Sequence, residues 1–583
     1  MKRKAIWVVL IFLMVTSLVL ASCTKSSTAT QTTPTTKTAT NQAVGTPTYG
    51  GTLTMYTRYS DHNPSGWDAP MTVDLSAAAI WANPFEEWLT RGDINTYGPR
   101  GNNQYGFNTW EIVPEQFLTG ELATAWEIAP DGSNITFHIR QGVMWTGNKN
   151  IGMAARELIA ADVASAEQRN ITRPGFGPSF SWLKSIAATD KYTVVWTLNS
   201  YFANWPWRFG CCTAMGVIYP PEVVTAGPDN WKNQVGSGPF ILTDYVEGSG
   251  ATYTKNPNYW GKVTISGKSY QLPFIDTLVY PVIADASTRL AALRTGKVDW
   301  DPEVGQLNSS TLTQSSPDLI QQKYLSNTIY YLRINRLKSQ SLSNLQVRQA
   351  LMIGTDLTSI AKLVYGGGEI QDWPFGSNVP GYTPLDQLPA SQKQLYTYNP
   401  TLAKQMIADA GYPNGFKMVI DSGTDSTSQD ISSALVSNWA QIGVTATIAS
   451  LDSTALNVLI NNVTYPDSLL TTYGVGNPFT TLNVARSDVA NPVYKPGELG
   501  FDAMYAQAMS TVDPINRTAL IKDFGLALMN DVAVIPFANS NFLNCYWPWI
   551  KNYYGELETG YYNDMPMIKE MWLDQNLKKN LVH

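Results

Sequence analysis

Gly120-Glu121-Leu122-Ala123-Thr124-Ala125-Trp126-Glu127, then Asp131-Gly132, then Thr136-Phe137-His138-Ile139-Arg140-Gln141-Gly142-Val143, is the stretch on which the reading of this 583-residue chain turns. Asp131-Gly132 is a turn pair, because Asp caps its own backbone and Gly takes a left-handed conformation without steric cost. Residues 136–140 after it have strand character, and Trp126 and Phe137 read as structural anchors of the unit. Strand patterns recur at 193–198 and 275–282, and at 52–59 behind Tyr49-Gly50-Gly51. Helical spacing appears at 286–295, stopped by Gly296, and at 347–353 with 357–364, stopped by Gly366-Gly367-Gly368. Further helices are expected at 401–410, stopped by Gly411, at 431–442 and at 515–529. Strands and helices mixed in irregular order indicate α/β or α+β domains, and no repeat of fixed period is present.

The N-terminus has a different chemistry. Lys2-Arg3-Lys4 precedes an apolar run from Ala5 to Leu20, which ends in Leu20-Ala21-Ser22-Cys23. A basic start, a short apolar segment and small residues before a cut describe a secretory signal. The run is shorter than the ~20 apolar residues that a spanning helix needs. Leu-Ala-Ser-Cys resembles the lipobox of bacterial lipoproteins, which implies a signal peptide over 1–22 and acylation of Cys23. An ordinary signal peptide cut near Ala21, or a single anchor, are the alternatives. Residues 23–47 are rich in Thr, Ser, Ala, Gln and Pro and read as a flexible linker. The body is therefore expected outside the cytoplasm, on a lipid tether.

The folded part is too long for one hydrophobic core, so two or three domains are expected. Hydrophobic residues make up 44% and charged residues 15%, the balance of a globular chain. A net charge of −6 argues against a nucleic-acid partner, which selects basic stripes. Besides Cys23 there are Cys211, Cys212 and Cys545, which allow at most one ordinary disulfide or three buried small hydrophobes. Nineteen Trp outnumber eighteen Phe, beside thirty Tyr. Phe fills a core without a polar N–H to satisfy, so some of these rings are expected to be surfaces for something flat and polar.

Five phrases in order resemble the extracytoplasmic solute-binding proteins of ABC importers, in the large class that includes oligopeptide and dipeptide binders (family 5). The opening stretch is one. Val235-Gly236-Ser237-Gly238-Pro239-Phe240 with Asn256-Pro257-Asn258-Tyr259-Trp260-Gly261 is the second, and Val347-Arg348-Gln349-Ala350-Leu351 with Asp356 the third. Tyr398-Asn399-Pro400 with Gly411-Tyr412-Pro413-Asn414-Gly415-Phe416, and Ala533-Val534-Ile535-Pro536, complete the series. The resemblance implies an α/β, two-lobe periplasmic-binding-protein fold (type II, cluster C) with an extra subdomain and a discontinuous first lobe. It places lobe I at 48–75, 186–300 and 536–583, the extra subdomain at 76–185, and lobe II at 301–535. It also implies a monomer that closes on a small-molecule ligand by hinge motion and delivers it to an ABC permease, with no cofactor.

One segment departs from the family. Members that hold a peptide ammonium commonly read aromatic-small-Ala-Asp-Tyr-Pro-Asp-Pro after a strand of the second lobe. Here Ser468-Leu469-Leu470-Thr471-Thr472-Tyr473 is followed by Gly474-Val475-Gly476-Asn477-Pro478, and the acid is missing at or near Gly476. A buried ammonium without a partner carries a large desolvation penalty, unless Asp61, Asp68 or Asp372 substitutes. A neutral oligosaccharide, stacking its C–H faces on rings and bonding neutral groups, is the expected ligand, with an oligopeptide or dipeptide as the alternative. The resemblance points to Asn63, Trp67 and Asp68 in the loop after the first strand; Trp373, in the aperiodic segment Gln371-Asp372-Trp373-Pro374 after the triple Gly, and Tyr473 and Asn477, at the departure, are the other candidates. Trp67 reads equally as a cap on the first lobe. Trp205, Trp207, Trp547 and Trp549 are weaker candidates, as readily packed beneath loops.

The chain barely supplies a catalytic set, with a dyad of Cys211 and His62 or paired carboxylates for glycoside hydrolysis as the alternatives. Its histidines are His62, His138 and His583, and it contains no His-Glu-x-x-His, phosphate-cradling Gly loop or nucleophile elbow. Cys211-Cys212 without a nearby His lacks the spacing of a closed metal site. The expectation is a binding protein, neither an enzyme nor a metal protein.

Overall fold

The computed structural model describes residues 45–583 apart from 73, 109–111, 175–176, 211–212, 371–372, 490–491, 561 and 583. The expected signal peptide, Cys23, Cys211, Cys212, Asp372 and most of the linker lie outside the described residues.

The opening stretch folds as strands Ala123–Ile128 and Asn134–Ile139, antiparallel and joined through Asp131-Gly132, with Gly132 at φ 70°. Thr193–Leu198 and Leu183–Asp190 extend them into a four-stranded antiparallel sheet. Leu183–Asp190 runs across the expected boundary at 185/186. Alternation buries Ile135, Phe137, Ile139, Val194 and Trp196 against helix Ala160–Asn170. A second four-stranded sheet has the order Thr52–Thr54, Thr277–Pro281, Gly250–Lys255, Phe240–Val246. Its first strand is shorter than the expected 52–59. Ser60 Oγ accepts from Thr57 N at 3.0 Å, and Ser60 N donates to Thr57 O at 3.1 Å, so the chain turns instead of extending.

The remaining large sheet has the order Val444–Leu451, Phe416–Gly423, Ser468–Gly474, Thr328–Ile334, Val534–Pro536. Phe416–Gly423 and Val444–Leu451 are parallel and joined by helix Ser426–Ala440, whose N-cap Asp425 accepts from Ser428 N at 2.9 Å. Ser468–Gly474 then lies on the opposite side of Phe416–Gly423. The strand order thus reverses at Phe416–Gly423, and in open α/β sheets ligands bind beyond the carboxyl ends of strands at such a point. Ile334, Val347, Leu351, Ile420, Leu435 and Trp439 make the core behind it.

A three-stranded sheet links the two halves, with Asn541–Tyr546 between Trp300–Gly305 and Ile320–Leu325. Two short segments leave it for the large sheet, 325–328 and 536–541, and they run side by side. Ser326 N donates to Ser540 O at 2.9 Å, and Asn539 Nδ2 donates to Ser326 O at 2.5 Å.

Most of the conspicuous indoles are inside. Trp81, Trp88, Trp145, Trp196, Trp205, Trp300, Trp439 and Trp549 are among the largest fully buried side chains. The N–H groups of several, the supposed disadvantage of Trp in a core, serve as ties, whereas that of Trp81 is buried without a partner. Trp145 Nε1 donates to Asp162 at 3.1 Å, Trp196 Nε1 to Glu167 at 2.8 Å, Trp300 Nε1 to Asn544 at 2.6 Å, and Trp549 Nε1 to Asp299 at 2.8 Å. Cys545 is a free, buried thiol, and burial raises its pKa well above the usual range.

Burial also pushes the Glu167 carboxyl up to about 8, against the lowering effect of the Trp196 bond. The folded state therefore holds a proton that an unfolded glutamate releases near 4.5. The stabilisation is complete below that value and is lost as pH rises through about 8. Asp564, pushed up to about 7 by burial, acts in the same direction. Denaturant titrations at pH 5 and pH 8.5 should show the wild type less stable at the higher pH, and Glu167→Gln should remove part of that difference. An unchanged difference in the variant would contradict a protonated Glu167.

Candidate functional site

The site is built at the carboxyl end of strand Ser468–Gly474. Three residues beyond it, Asn477 turns the chain into helix Pro478–Leu482. Its Oδ1 accepts from Phe479 N at 3.0 Å and Thr480 N at 3.4 Å, and Pro478 occupies the first helical position, where no N–H is needed. Asn477 Nδ2 reaches across to the other half and donates to Asn204 Oδ1 at 3.1 Å. Gly476, the position without the family's acid, gives its carbonyl to Ile112 N at 2.9 Å. Ala203 N donates to Met509 O at 2.8 Å, and Arg517 pairs with Glu115 at 2.6 Å. These bonds join segments before residue 210 to segments after 475, so the two halves are in contact along this edge.

Beside that seam is a cavity of ≈ 760 Å³, walled by 179–208 on one side and 479–510 on the other. Trp182 and Phe202 stack on each other with centroids 4.8 Å apart and planes at 10°. Trp207, Phe479 and Tyr505 supply further rings, and Tyr505 meets Phe479 edge-on at 6.3 Å. The polar lining is Ser, Asn and Thr with Arg208 and Arg486, and it includes no Asp or Glu. Arg486 is held by Asp488 at 2.5 Å and Asn483 Oδ1 at 3.0 Å. Burial raises the Tyr505 phenol, opposed by Arg486, so that hydroxyl stays neutral and able to donate.

The expected site residues fall into three groups. Asn477 and Tyr473 adjoin the cavity: Asn477 bonds its lining residue Asn204, and Tyr473 OH donates to the carbonyl of its lining residue Thr480 at 2.6 Å. Tyr473 also packs edge-on to Tyr331 at 5.5 Å. Asn63, Trp67 and Asp68 are engaged elsewhere in the first half. Trp67 is 8% exposed and packs on Tyr245 and Phe85. Asp68 makes a two-armed pair with Arg169 at 2.8 and 2.5 Å, and Asn63 Oδ1 accepts from Gly248 N at 2.7 Å. Trp373 is 4% exposed in the second half, near Tyr396 and Met352. Of the weaker candidates, Trp207 lines the cavity, Trp205 is fully buried, and Trp547 and Trp549 stack on each other at 4.7 Å in the core. Of the acids that could replace the missing one, Asp68 is committed to Arg169 and Asp61 to His62 Nδ1 at 2.7 Å.

Sequence reasoning passed over Arg208, Trp182, Phe202 and Tyr505. For Arg208 a signal was present: no acidic residue occurs between Asp190 and Glu222. Among the described residues no three His, Cys, Asp or Glu side chains are placed to hold a metal, and no helix is long and apolar enough to cross a membrane.

Comparison with known proteins agrees with this architecture. The family model of the bacterial extracellular solute-binding proteins, family 5 (middle), matches residues 118–485, more than half of the chain. Heme-binding protein A of Haemophilus influenzae is 28% identical over 462 residues, 74% of this chain and 81% of that protein. The dipeptide-binding protein of Escherichia coli is 27% identical over 383 residues, 60% of this chain and 65% of that protein. HbpA2 from Haemophilus parasuis superposes with a TM-score of 0.70 at 23% identity, covering 90% of this chain and 100% of that one, a likeness of fold. The chain belongs to the family 5 bacterial extracellular solute-binding proteins, and is a mixed α/β solute-binding protein of an ABC importer.

Proposed function

We propose that the chain captures an oligosaccharide or related polyhydroxylated solute between its two halves and presents it to its permease, without chemical turnover. The observation that carries this reading is the cavity at the seam, which combines ring faces with neutral donors and acceptors and has no carboxylate in its lining. Sugar C–H faces stack on rings, while hydroxyls bond Ser, Asn and Thr directly or through water. A free ammonium would be desolvated there without an anion to receive it. Asn477 and Tyr473 act as positioning residues, since they fix the Phe479–Thr480 wall. Closure about the paired segments 325–328 and 536–541 brings lobe II, 301–535, against lobe I and its extra subdomain. Occupation favours the closed form by the ligand's difference in affinity for the two states.

The dipeptide-binding relative supports an oligopeptide or dipeptide as the second reading. Calorimetry with α- and β-linked di- to penta-saccharides and matched peptides decides between them. Saturable heat from a sugar without product formation is the expected result. Heat from peptides alone overturns the oligosaccharide reading, and new sugar products overturn the assignment as a pure binder.

The proposed tether is Cys23, acylated after removal of residues 1–22, with 23–47 as the spacer. Cys23→Ala should move the protein from the membrane fraction into the surrounding fluid, read by fractionation and immunoblot. Undiminished membrane retention would rule the tether out.

A further inference from the structure

Arg208 stands on the wide, π-type helical turn Pro206–Gly210, a rare backbone form that recurs at functional sites. Its guanidinium lies 5.0 Å over the Trp207 ring and borders the cavity. Among the described residues it meets no carboxylate and donates no hydrogen bond, and its Nε is buried without a partner. The contrast with the other arginines here is chemical. Arg486 is neutralised by Asp488, Arg517 by Glu115 and Arg169 by Asp68. Arg208 alone of these four brings a positive charge to the seam without an answering negative one. Burial lowers its pKa from the ordinary arginine value, opposed by the Tyr505 phenol. An uncompensated guanidinium at a cavity wall is costly unless an anion arrives to pair with it, and its planar fork fits a carboxylate with two parallel bonds.

We propose that Arg208 seats an anionic group of the transported solute, a carboxylate, so that the ligand is an acidic sugar derivative and not a wholly neutral one. The inference rests on reading the cavity as the ligand site. It deepens that reading by dividing the roles: rings and neutral groups hold the body of the solute, and Arg208 holds its acid. Arg486, already matched by Asp488, adds little net attraction.

The test uses the full mature protein and matched pairs of probes: cellobiose with cellobiouronic acid, digalactose with digalacturonate, and free-acid dipeptides with their C-terminal amides. In the wild type the acidic member of a pair should bind about 10- to 100-fold more tightly, the range for a hydrogen bond to a charged group. Arg208→Gln should bring the two members of that pair to equal affinity. Equal affinities in the wild type, a preference that survives in Arg208→Gln, or no binding by any acidic probe each overturn the anion seat. If only peptides bind, the sugar reading fails. A preference for free acid over amide that disappears in Arg208→Gln then still sustains the seat. The wild-type comparison needs no variant, so a misfolded Arg208→Gln does not protect the proposal.

Discussion

Asp531→Ala should destabilise the protein by about 3–5 kcal/mol, the cost of breaking a buried ion pair by removing one partner. Asp531 is 5% exposed at the end of helix Pro514–Asp531. One oxygen accepts from Arg348 Nη2 at 2.7 Å, and the other lies 3.5 Å from Arg336 Nε and accepts from Tyr494 OH at 2.9 Å. Arg348 is 1% exposed, and its Nη1 is spent on the carbonyls of Leu342 and Ser343. Without Asp531 that guanidinium keeps its neutral acceptors but loses its only acidic partner among the described residues, and water cannot reach it. Arg348 belongs to the Val347-Arg348-Gln349-Ala350-Leu351 phrase, so the substitution tests why that phrase has its arginine. Guanidinium-chloride unfolding at pH 7 measures the change. A loss below about 1 kcal/mol would show the pair to be no stronger than a surface one.

Trp196→Ala should cost a comparable about 3–5 kcal/mol, the range for truncating a large aromatic in a packed core. Trp196 is completely buried and touches Phe137 at 4.6 Å, Phe209 at 5.5 Å and Trp205 at 5.9 Å between ring centroids. Its loss opens a cavity and removes the N–H that Glu167 accepts. Trp182, at 6.2 Å, links this cluster to the ring stack at the solute cavity. The variant should therefore lose stability first and ligand affinity second. Unfolding monitored by far-ultraviolet circular dichroism checks the first. A variant within about 1 kcal/mol of wild type would mean that the surrounding rings collapse into the gap.

Local signals carried most of the fold. Helices Ala286–Arg294, Pro400–Asp409 and Leu357–Tyr365 end within a residue or so of their expected limits, because caps and glycines act over a few residues. Helix Ser426–Ala440 begins five residues before its expected start, since Asp425 caps a first turn of polar residues that has no apolar period. Strand Ser468–Gly474 was legible, and so was the missing acid beyond it, because both are matters of residue type. The wall of the cavity was not. A ring in an aperiodic loop gives no sign of which way it faces, so Trp67 and Trp373 could be read toward a ligand although both pack inward. Trp182 and Phe202 lie on either side of strand Thr193–Leu198 in sequence, and meet only when the sheet forms.

The three-stranded linking sheet also sets the order of assembly. Its middle strand, Asn541–Tyr546, is contributed by the last tenth of the chain, while both neighbours are made more than two hundred residues earlier. A chain exported N-terminus first delivers Trp300–Gly305 and Ile320–Leu325 without the strand that lies between them, leaving edges of the kind that recruit foreign strands. They wait until the C-terminus arrives, and such distant pairing is intrinsically slow. The newly exported protein therefore passes through an interval in which the linking sheet lacks its middle strand, and a chain cut short before residue 541 never completes it.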